Sequence, residues 1–209
     1  MANKKILVIG DYETARFHPL KGVDERLVKI LKDYEVTCTE NYAHLTSEEL
    51  KKYGLLINYA DAWQTRGTRQ SAGAILSYIA EGGSMLTFHS GIIMSSMPEM
   101  EFLQGGHFTG HPEACELTYS PTETEHQILE GIQPFTIFEE PYRINMAELA
   151  EPEILLTYFH DGQDFPAAWT LLYGMGKVVY LSVGHQAKSF DNEMYAKLIL
   201  NSVAWCMPE

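Results

Sequence analysis

The stretch SMLTFHSGIIM, residues 84–94, decides the fold class of this chain. Residues 85–88 are apolar enough for a buried strand, and His89-Ser90-Gly91 then forms a polar turn that leaves it. Gly82-Gly83 stands just before this stretch, where a preceding helix commonly ends. A helix, a buried strand and a polar turn in this order are typical of an α/β protein, in which ligands bind beyond the carboxyl ends of the parallel strands. We therefore expect His89 to lie at a binding site.

The alternation of strand and helix extends back from this stretch to the beginning of the chain. Continuous apolar or strand-forming runs occupy residues 6–9, 35–39, 55–59 and 85–88. Between them, apolar residues recur at helical spacing, and Thr46 with Glu49 predicts a capping box at the beginning of a helix. This βαβαβαβ order predicts a doubly wound, mostly parallel sheet of the flavodoxin-like type.

The second half of the chain is less regular. Residues 95–150 are rich in Pro, Gly, Glu and His and predict a loop-rich insertion. Further strand candidates are residues 115–119, 135–138, 154–159, 167–172 and 177–182. A helix capped by Asp191 or Asn192 ends the chain. Because no linker or internal repeat separates these parts, we expect residues 1–209 to form a single domain.

Composition and charge exclude several classes of function. The 209 residues include 28 Asp and Glu but only 15 Lys and Arg, so the formal net charge is −13. A protein that binds along a nucleic-acid backbone needs the opposite sign, so nucleic acid is not an expected partner. No apolar stretch reaches about 18 residues, so no membrane span is expected. The three cysteines form no CxxC pair, which favours the reducing cytoplasm. A neutral ligand such as a sugar is compatible with all of these observations.

Two common active-site motifs are absent. Gly10-Asp11-Tyr12 after the first strand is not GxGxxG, and no phosphate-binding GxxxxGK[ST] occurs. Phe88 stands where a GxSxG nucleophile elbow has its first glycine. Ser90 therefore lacks the usual signature of a nucleophile, although hydrolysis through Ser90 stays open as an alternative.

The histidines are more informative than these motifs. Five of the eight follow predicted strands or lie in loops beside Gly or Pro: His18, His89, His111, His126 and His185. Parallel strands would place His89 and His185 at the same edge of the sheet, which predicts a shared cleft. Glu140 lies in a predicted loop, and a carboxylate with imidazoles can bind a divalent metal or perform acid–base chemistry. The alternatives are hydrogen-bonded structural histidines and a solvated surface acid.

An ordered set of segments resembles a known family. The segments are Gly82-Gly83-x-x-Leu86-x-x-His89-Ser90-Gly91, residues 105–112, 126–131, Glu139-Glu140-Pro141-Tyr142, residues 166–170 and 173–180, and Gly184-His185. Together they resemble the ThuA-like (trehalose utilisation) family, whose fold is like that of class I glutamine amidotransferases. The resemblance spans nearly the whole chain. It departs from the family pattern at Gln127, where a proline is frequent, and at Gln186, where an acidic residue is common.

The resemblance implies a fold without the chemistry of glutamine amidotransferases. Residues 87–91 align with the amidotransferase elbow and place His89 where those enzymes have a nucleophilic cysteine. An imidazole cannot form the glutamyl thioester that glutamine hydrolysis requires. Cys38, Cys115 and Cys206 lie elsewhere in the sequence. We therefore expect no glutaminase activity.

The function that the resemblance implies is cytoplasmic utilisation of trehalose or a related disaccharide, or of its keto derivative. In this interpretation His89, Glu140 and His185 are catalytic. The expected substrate-binding residues are His18, Ser90, His111, His126 and Tyr142. A carbonyl acidifies the neighbouring C–H of a keto-sugar, which a neutral histidine or a carboxylate can deprotonate, and a divalent metal could stabilise the enolate. A sugar hydrolase, a lyase and a non-catalytic sugar-binding or regulatory protein all stay open, as does a homo-oligomer.

Overall fold

A nine-stranded sheet forms the centre of the protein in the computed structural model, which describes residues 3–207. The strands in chain order are β1 (Lys5–Gly10), β2 (Glu35–Thr39), β3 (Leu55–Tyr59), β4 (Ser84–Phe88), β5 (Gly106–Gly110), β6 (Cys115–Pro121), β7 (Phe135–Glu139), β8 (Arg143–Met146), β9 (Glu153–His160), β10 (Gln163–Tyr173) and β11 (Gly176–Leu181). The α-helices are α1 (Val23–Ile30), α2 (Ser47–Leu50), α3 (Trp63–Arg66), α4 (Arg69–Ala80), α5 (Pro98–Gln104) and α6 (Glu193–Cys206). Short 3-10 turns occupy Tyr42–His44, His89–Ser96, Gln127–Leu129, Glu148–Ala150 and Ala187–Asp191.

The sheet consists of a parallel part and an antiparallel part. Strands β2-β1-β3-β4-β11 lie side by side and are all parallel. The sheet then continues as β10-β9-β6-β7, and every pairing from β11 onward is antiparallel. The order of the parallel part is that of flavodoxin-like doubly wound sheets. The predicted fold class is therefore confirmed, and the antiparallel extension is a feature that the sequence pattern did not indicate.

Both faces of the parallel strands are covered, as their continuous apolar runs predict. Because side chains alternate along a strand, Ile6 and Val8 of β1 point to one face and Leu7 and Ile9 to the other. The first pair joins a core with α1 and α6, and the second pair joins a core with α4. Helices on both faces make the fold doubly wound.

The predicted caps are present in part. The side chain of Thr46 accepts a hydrogen bond from the backbone N–H of Glu49 at 3.3 Å and caps α2, which is only four residues long. Asn192 accepts hydrogen bonds from the backbone N–H groups of Met194 and Tyr195, both at 3.0 Å. Asn192, rather than Asp191, therefore caps α6.

Residues 95–150 contain more regular structure than their composition suggests. Strands β5 and β8 form a small antiparallel sheet of their own, while β6 and β7 join the outer part of the main sheet. The small sheet and α5 pack against the 3-10 turn His89–Ser96 that follows β4. This segment therefore covers one side of the region where the parallel strands end. Among residues 3–207, no helix has the length and apolar character required to cross a bilayer.

We expect Gly174→Ala to destabilise the protein and Gly73→Ala to stabilise it. Gly174, in the turn between β10 and β11, has φ +60°, and a Cβ there would lie 2.7 Å from backbone atoms of Ala80. The substitution should lower the free energy of unfolding by about 1–3 kcal/mol. Gly73 lies in α4 with open space around it, so an alanine should add about 0.5–1 kcal/mol. Urea unfolding of both variants measures the difference, and equal midpoints would contradict the assigned turn geometry.

Candidate functional site

The turn after β4 is strained at His89. This residue has φ +36°, an uncommon value for a residue with a side chain, and it is completely buried. A Cβ at Gly91 would lie 2.5 Å from the carbonyl oxygen of Asn58, and one at Gly184 would lie 3.0 Å from Cβ of His89. The two glycines therefore allow neighbouring backbone to approach the turn closely. Backbone strain of this kind costs about 1–3 kcal/mol and is frequent at functional sites.

The imidazole of His89 has a polar neighbour at each nitrogen. Its Nδ1 lies 2.7 Å from the carbonyl oxygen of Ser182 and its Nε2 lies 3.2 Å from Oε2 of Glu140. A carbonyl oxygen can only accept, so Nδ1 carries the proton. The ring of Tyr142 stacks on the imidazole with 3.8 Å between centroids. Nε2 of His89 is therefore aimed at Glu140.

His18 lies in the loop after β1, and Asp61 fixes this histidine. The Nδ1 of His18 lies 2.7 Å from Oδ1 of Asp61. Oδ2 of Asp61 accepts from the backbone N–H groups of Arg16 at 2.6 Å and Phe17 at 3.0 Å. Asp61, which follows β3, thus holds both the ring and the backbone of the His18 loop. The other ring nitrogen of His18, Nε2, lies 3.5 Å from Oε2 of Glu140.

Glu139 performs the corresponding task for the loop after β11. Its buried carboxylate accepts hydrogen bonds from the backbone N–H groups of Gly184 at 3.1 Å and His185 at 3.0 Å. It also accepts a short hydrogen bond from the hydroxyl of Ser189. The Nδ1 of His185 then lies 3.3 Å from Oε2 of Glu140. Of the two consecutive acids at the end of β7, Glu139 holds the backbone of the His185 loop and Glu140 faces the histidines.

Four side chains from four separate segments therefore converge: His18, His89, His185 and Glu140. One ligand atom from each lies within 4.8 Å of those of the other three. The structure brings His89 and His185 together at one edge of the sheet, with ring centroids 5.8 Å apart. His89 is fully buried, whereas the side chains of Glu140 and His185 are 13% and 29% exposed. We call these four residues the His/Glu cluster. Glu140 and His185 lie on the side of the cluster that is accessible to solvent.

The His/Glu cluster has unequal proton affinities when no metal is bound. Burial lowers the pKa of His18, but its hydrogen bonds to Asp61 and Glu140 outweigh burial and raise the pKa to about 9. For His89, complete burial outweighs the hydrogen bond to Glu140 and lowers the pKa to about 4. Burial raises the pKa of Glu140, but the hydrogen bonds from three histidines hold it well below its usual range. Near neutral pH the cluster therefore contains an ionised carboxylate, a cationic His18 and a neutral His89.

A cleft of about 300 Å³ opens above the His/Glu cluster. Its lining residues are Arg16, Phe17, His18, Asp61, Gln64, Ser90, Ile92, Ile93, Phe108, His111, Glu140 and Tyr142. His111 lies at the mouth, with Nε2 3.7 Å from Oε1 of Glu140 and Nδ1 donating to the carbonyl oxygen of Pro112 at 2.8 Å. A larger cleft of about 480 Å³ lies near Phe138 and Lys188 but contains no member of the cluster. We therefore assign the site to the smaller cleft.

Ser90 lines the cleft without the partners of a nucleophile. Its hydroxyl lies 3.4 Å from the carbonyl oxygen of Tyr59 and donates to it. Among residues 3–207, no histidine forms a hydrogen bond with Ser90 that could activate it. The cleft lining contains no cysteine, and the residue at the turn that leaves β4 is His89. The geometry thus favours neither serine hydrolysis nor a thioester mechanism.

The placement of His126 in this site was wrong. Its Nδ1 accepts a hydrogen bond from the backbone N–H of Ile128 at 3.1 Å, and its ring packs against Trp205 with centroids 5.2 Å apart. His126 follows β6, which runs opposite to β4 because each of the intervening pairings from β11 to β6 is antiparallel. The carboxyl end of β6 therefore lies at the far edge of the sheet, and His126 caps a turn there.

Two buried carboxylates at the site were missed by sequence reasoning. Asp61 holds the His18 loop, and Asp11 in turn accepts hydrogen bonds from the backbone N–H groups of Asp61 at 2.9 Å and Ala62 at 2.8 Å. Asp11 also accepts from Arg66 and Tyr42 at 3.1 Å each. Their positions in the sequence could have identified them. Asp11 follows β1 and Asp61 follows β3, just as His89 follows β4.

Strand order and site together define the class of this protein. It is an α/β protein with a flavodoxin-like parallel sheet and a His/Glu cluster at the carboxyl edge of that sheet. The model of the ThuA family, described as trehalose utilisation, matches residues 5–206, and the chain belongs to this family. No curated protein matches the sequence significantly.

Solved structures of similar proteins agree in fold. A putative ThuA-like protein from Bacteroides uniformis is 19% identical, with a TM-score of 0.79 over 98% of this chain and 91% of that one. A second, from Parabacteroides merdae, is 15% identical, with a TM-score of 0.81 and the same coverage. A cytoplasmic protein from Salmonella typhimurium is 16% identical, with a TM-score of 0.68 over 97% of this chain and 99% of that one. At these identities the likeness shows the fold alone.

We expect Glu139→Gln to destabilise the protein although glutamine has nearly the same shape as glutamate. The amide group of glutamine would present N–H groups to donors that the carboxylate now accepts from, so a buried hydrogen bond would be lost. The free energy of unfolding should fall by about 1–3 kcal/mol. Glu116→Gln is the control, because Glu116 is an exposed acid on the neighbouring strand, and it should change stability by less than about 0.5 kcal/mol. Equal urea midpoints for the two variants would show that Glu139 does not anchor the His185 loop.

Proposed function

We propose that this protein cleaves a keto derivative of trehalose or a related disaccharide in the cleft above the His/Glu cluster. The observation that carries the proposal is the placement of four imidazoles around Glu140, at the floor of an aromatic-lined cleft. The chain belongs to a family described as trehalose utilisation, which supports a disaccharide as the substrate class. The relevant chemistry is proton transfer, because imidazole and carboxylate are the groups that converge.

The cleft has the surfaces that a sugar requires. Phe17, Phe108 and Tyr142 offer aromatic faces against which the apolar side of a sugar ring can pack. Arg16 and Gln64 at the same cleft can hydrogen-bond to sugar hydroxyls. Its volume of about 300 Å³ is at the lower end of the range of roughly 300–1,000 Å³ for small-molecule sites. This size favours close contact with one sugar ring and a second ring nearer the mouth.

A keto-sugar would react here by elimination. The sugar carbonyl acidifies the C–H bond on the adjacent carbon, and a base removes that proton to form an enolate. The electrons of the enolate then form a C=C bond as the glycosidic C–O bond breaks, and the leaving oxygen takes a proton from an acid. Addition of water to the resulting enone would complete a net hydrolysis, whereas release of the enone would make the protein a lyase.

The positions of the imidazoles assign the proton transfers. The Nδ1–H of His111 is directed to Pro112, so its Nε2 lone pair is available at the mouth of the cleft and is suited to the base. Once it has taken that proton, His111 is an imidazolium and can return the proton to the leaving oxygen. Glu140 is held ionised by its histidine neighbours, which makes it a weak base but a strong electrostatic partner for them.

The proposal places this activity in the cytoplasm with a small-molecule sugar as the ligand. Cys38, Cys115 and Cys206 are free thiols, which suits a reducing compartment. The similar Salmonella typhimurium structure is described as a cytoplasmic protein. The formal net charge of −13 argues against nucleic acid as a partner.

Replacing Glu140 tests this function. Glu140→Gln keeps the shape of the side chain at the cleft floor but removes the charge that organises four imidazoles. We expect turnover of the keto-disaccharide to fall by about a hundredfold or more. The matched control is Glu125→Gln at an exposed position beside His126, which should retain full turnover. Release of monosaccharide, followed by chromatography, is the measurement, and circular dichroism verifies that both variants fold.

The outcomes of this experiment are distinct. Full turnover by Glu140→Gln would remove Glu140 from the mechanism. Saturable binding of the disaccharide without turnover, measured by thermal shift, would instead identify a sugar-binding protein. No response to trehalose, to related disaccharides or to their keto forms would overturn the proposed substrate class.

A further inference from the structure

We propose that His18, His89, His185 and Glu140 bind one divalent first-row transition-metal ion, such as Zn²⁺, at the floor of the cleft. One ligand atom from each residue lies within 4.8 Å of the other three. This inference extends the proposed function: the role of the ion in sugar chemistry rests on that function. The binding of the ion itself is a separate property and can be measured without a sugar.

The proton positions of two histidines favour a metal. The Nδ1–H groups of His89 and His18 are directed to the carbonyl oxygen of Ser182 and to Asp61, each at 2.7 Å. The Nε2 atoms of both rings therefore face Glu140, which is itself only an acceptor when ionised. In the neutral ring of His89 this nitrogen is a lone pair, and in His18 it becomes one when a metal displaces the Nε2 proton. Lone pairs that face one another are unfavourable unless a cation lies between them. A carboxylate or a carbonyl group behind a histidine is also the usual arrangement that orients metal-binding imidazoles.

The distances within the His/Glu cluster match the edges of a coordination tetrahedron. Ligand atoms are about 3.3–3.4 Å apart around a tetrahedral ion whose metal–ligand bonds are about 2.0–2.1 Å. Oε2 of Glu140 lies 3.2 Å, 3.5 Å and 3.3 Å from the facing nitrogens of His89, His18 and His185. The facing nitrogens of His18 and His185 are 3.4 Å apart. Four contacts therefore already have the spacing that a bound ion requires.

The donor set identifies the class of metal. Three imidazole nitrogens and one carboxylate oxygen suit Zn²⁺, Fe²⁺, Co²⁺ or Ni²⁺, whereas Mg²⁺ and Ca²⁺ prefer oxygen ligands. His89 closes the buried side of the cluster, while His18 and Glu140 line the cleft. A ligand in the cleft can therefore reach the ion. There the ion would act as a Lewis acid that polarises a carbonyl oxygen, which is the group that distinguishes a keto-sugar.

The test measures metal binding to the intact chain in the absence of sugar. The protein is treated with a chelator, dialysed and titrated calorimetrically with Zn²⁺, Co²⁺ and Mg²⁺. We expect one Zn²⁺ or Co²⁺ ion per chain, no comparable binding of Mg²⁺, and a visible absorption band for the Co²⁺ form. His89→Gln and His185→Gln should lose stoichiometric binding. Asp61→Asn should weaken it by about 10–100-fold, because Asp61 orients His18.

His126→Gln is the matched control, because His126 lies at the opposite edge of the sheet and should leave metal binding unchanged. His185→Gln keeps the test interpretable if the buried His89→Gln variant does not fold, since His185 is partly exposed. The inference is overturned if the wild-type chain binds no ion stoichiometrically, or if His185→Gln binds it as well as His126→Gln does. Unchanged sugar turnover after complete chelation would overturn the role of the ion. Stoichiometric binding without any sugar activity would support the metal site and contradict only the proposed function.

Discussion

Parallel pairing of β4 with β11 is the constraint on which the site depends. The register places Phe88 beside Leu181, so the next residues, His89 and Ser182, leave the sheet together. The hydrogen bond from Nδ1 of His89 to the Ser182 carbonyl then joins the two strand ends at 2.7 Å. His185 follows three residues later and enters the same space. A change of register at this pairing would separate the two histidines and leave a buried imidazole without its acceptor.

The carboxylates around the site differ in what they contact. Glu140 faces the cleft, while Asp61 and Glu139 lie behind the histidine loops and accept their backbone N–H groups. Asp11 supports Asp61 in the same way. Buried carboxylates are costly unless they are hydrogen-bonded, and each of these carboxylates has several donors. The loops that carry His18 and His185 are therefore held by charge-assisted hydrogen bonds rather than by apolar packing alone.

The fold of this chain is retained at low sequence identity. The two ThuA-like structures share only 15–19% of their residues with this chain, yet their TM-scores are near 0.8. Such a scaffold does not determine the reaction, which depends on the side chains at the ends of the strands. Here the strained turn after β4 holds a buried imidazole. The groups that surround it are two further imidazoles and the carboxylate of Glu140.

The local sequence pattern by itself determined β1 to β4, the doubly wound order and the shared edge of His89 and His185. Apolar periodicity, caps and glycine positions act within a few residues, so a single sequence carries them. Tertiary structure alone decided the directions of β6, β7 and β9, because strand direction depends on the partner. Those directions bring Glu140, after β7, to the site and carry His126, after β6, to the opposite edge. The roles of Asp61 and Glu139 were hidden for the same physical reason, since their hydrogen-bond partners lie more than 40 residues away in the chain.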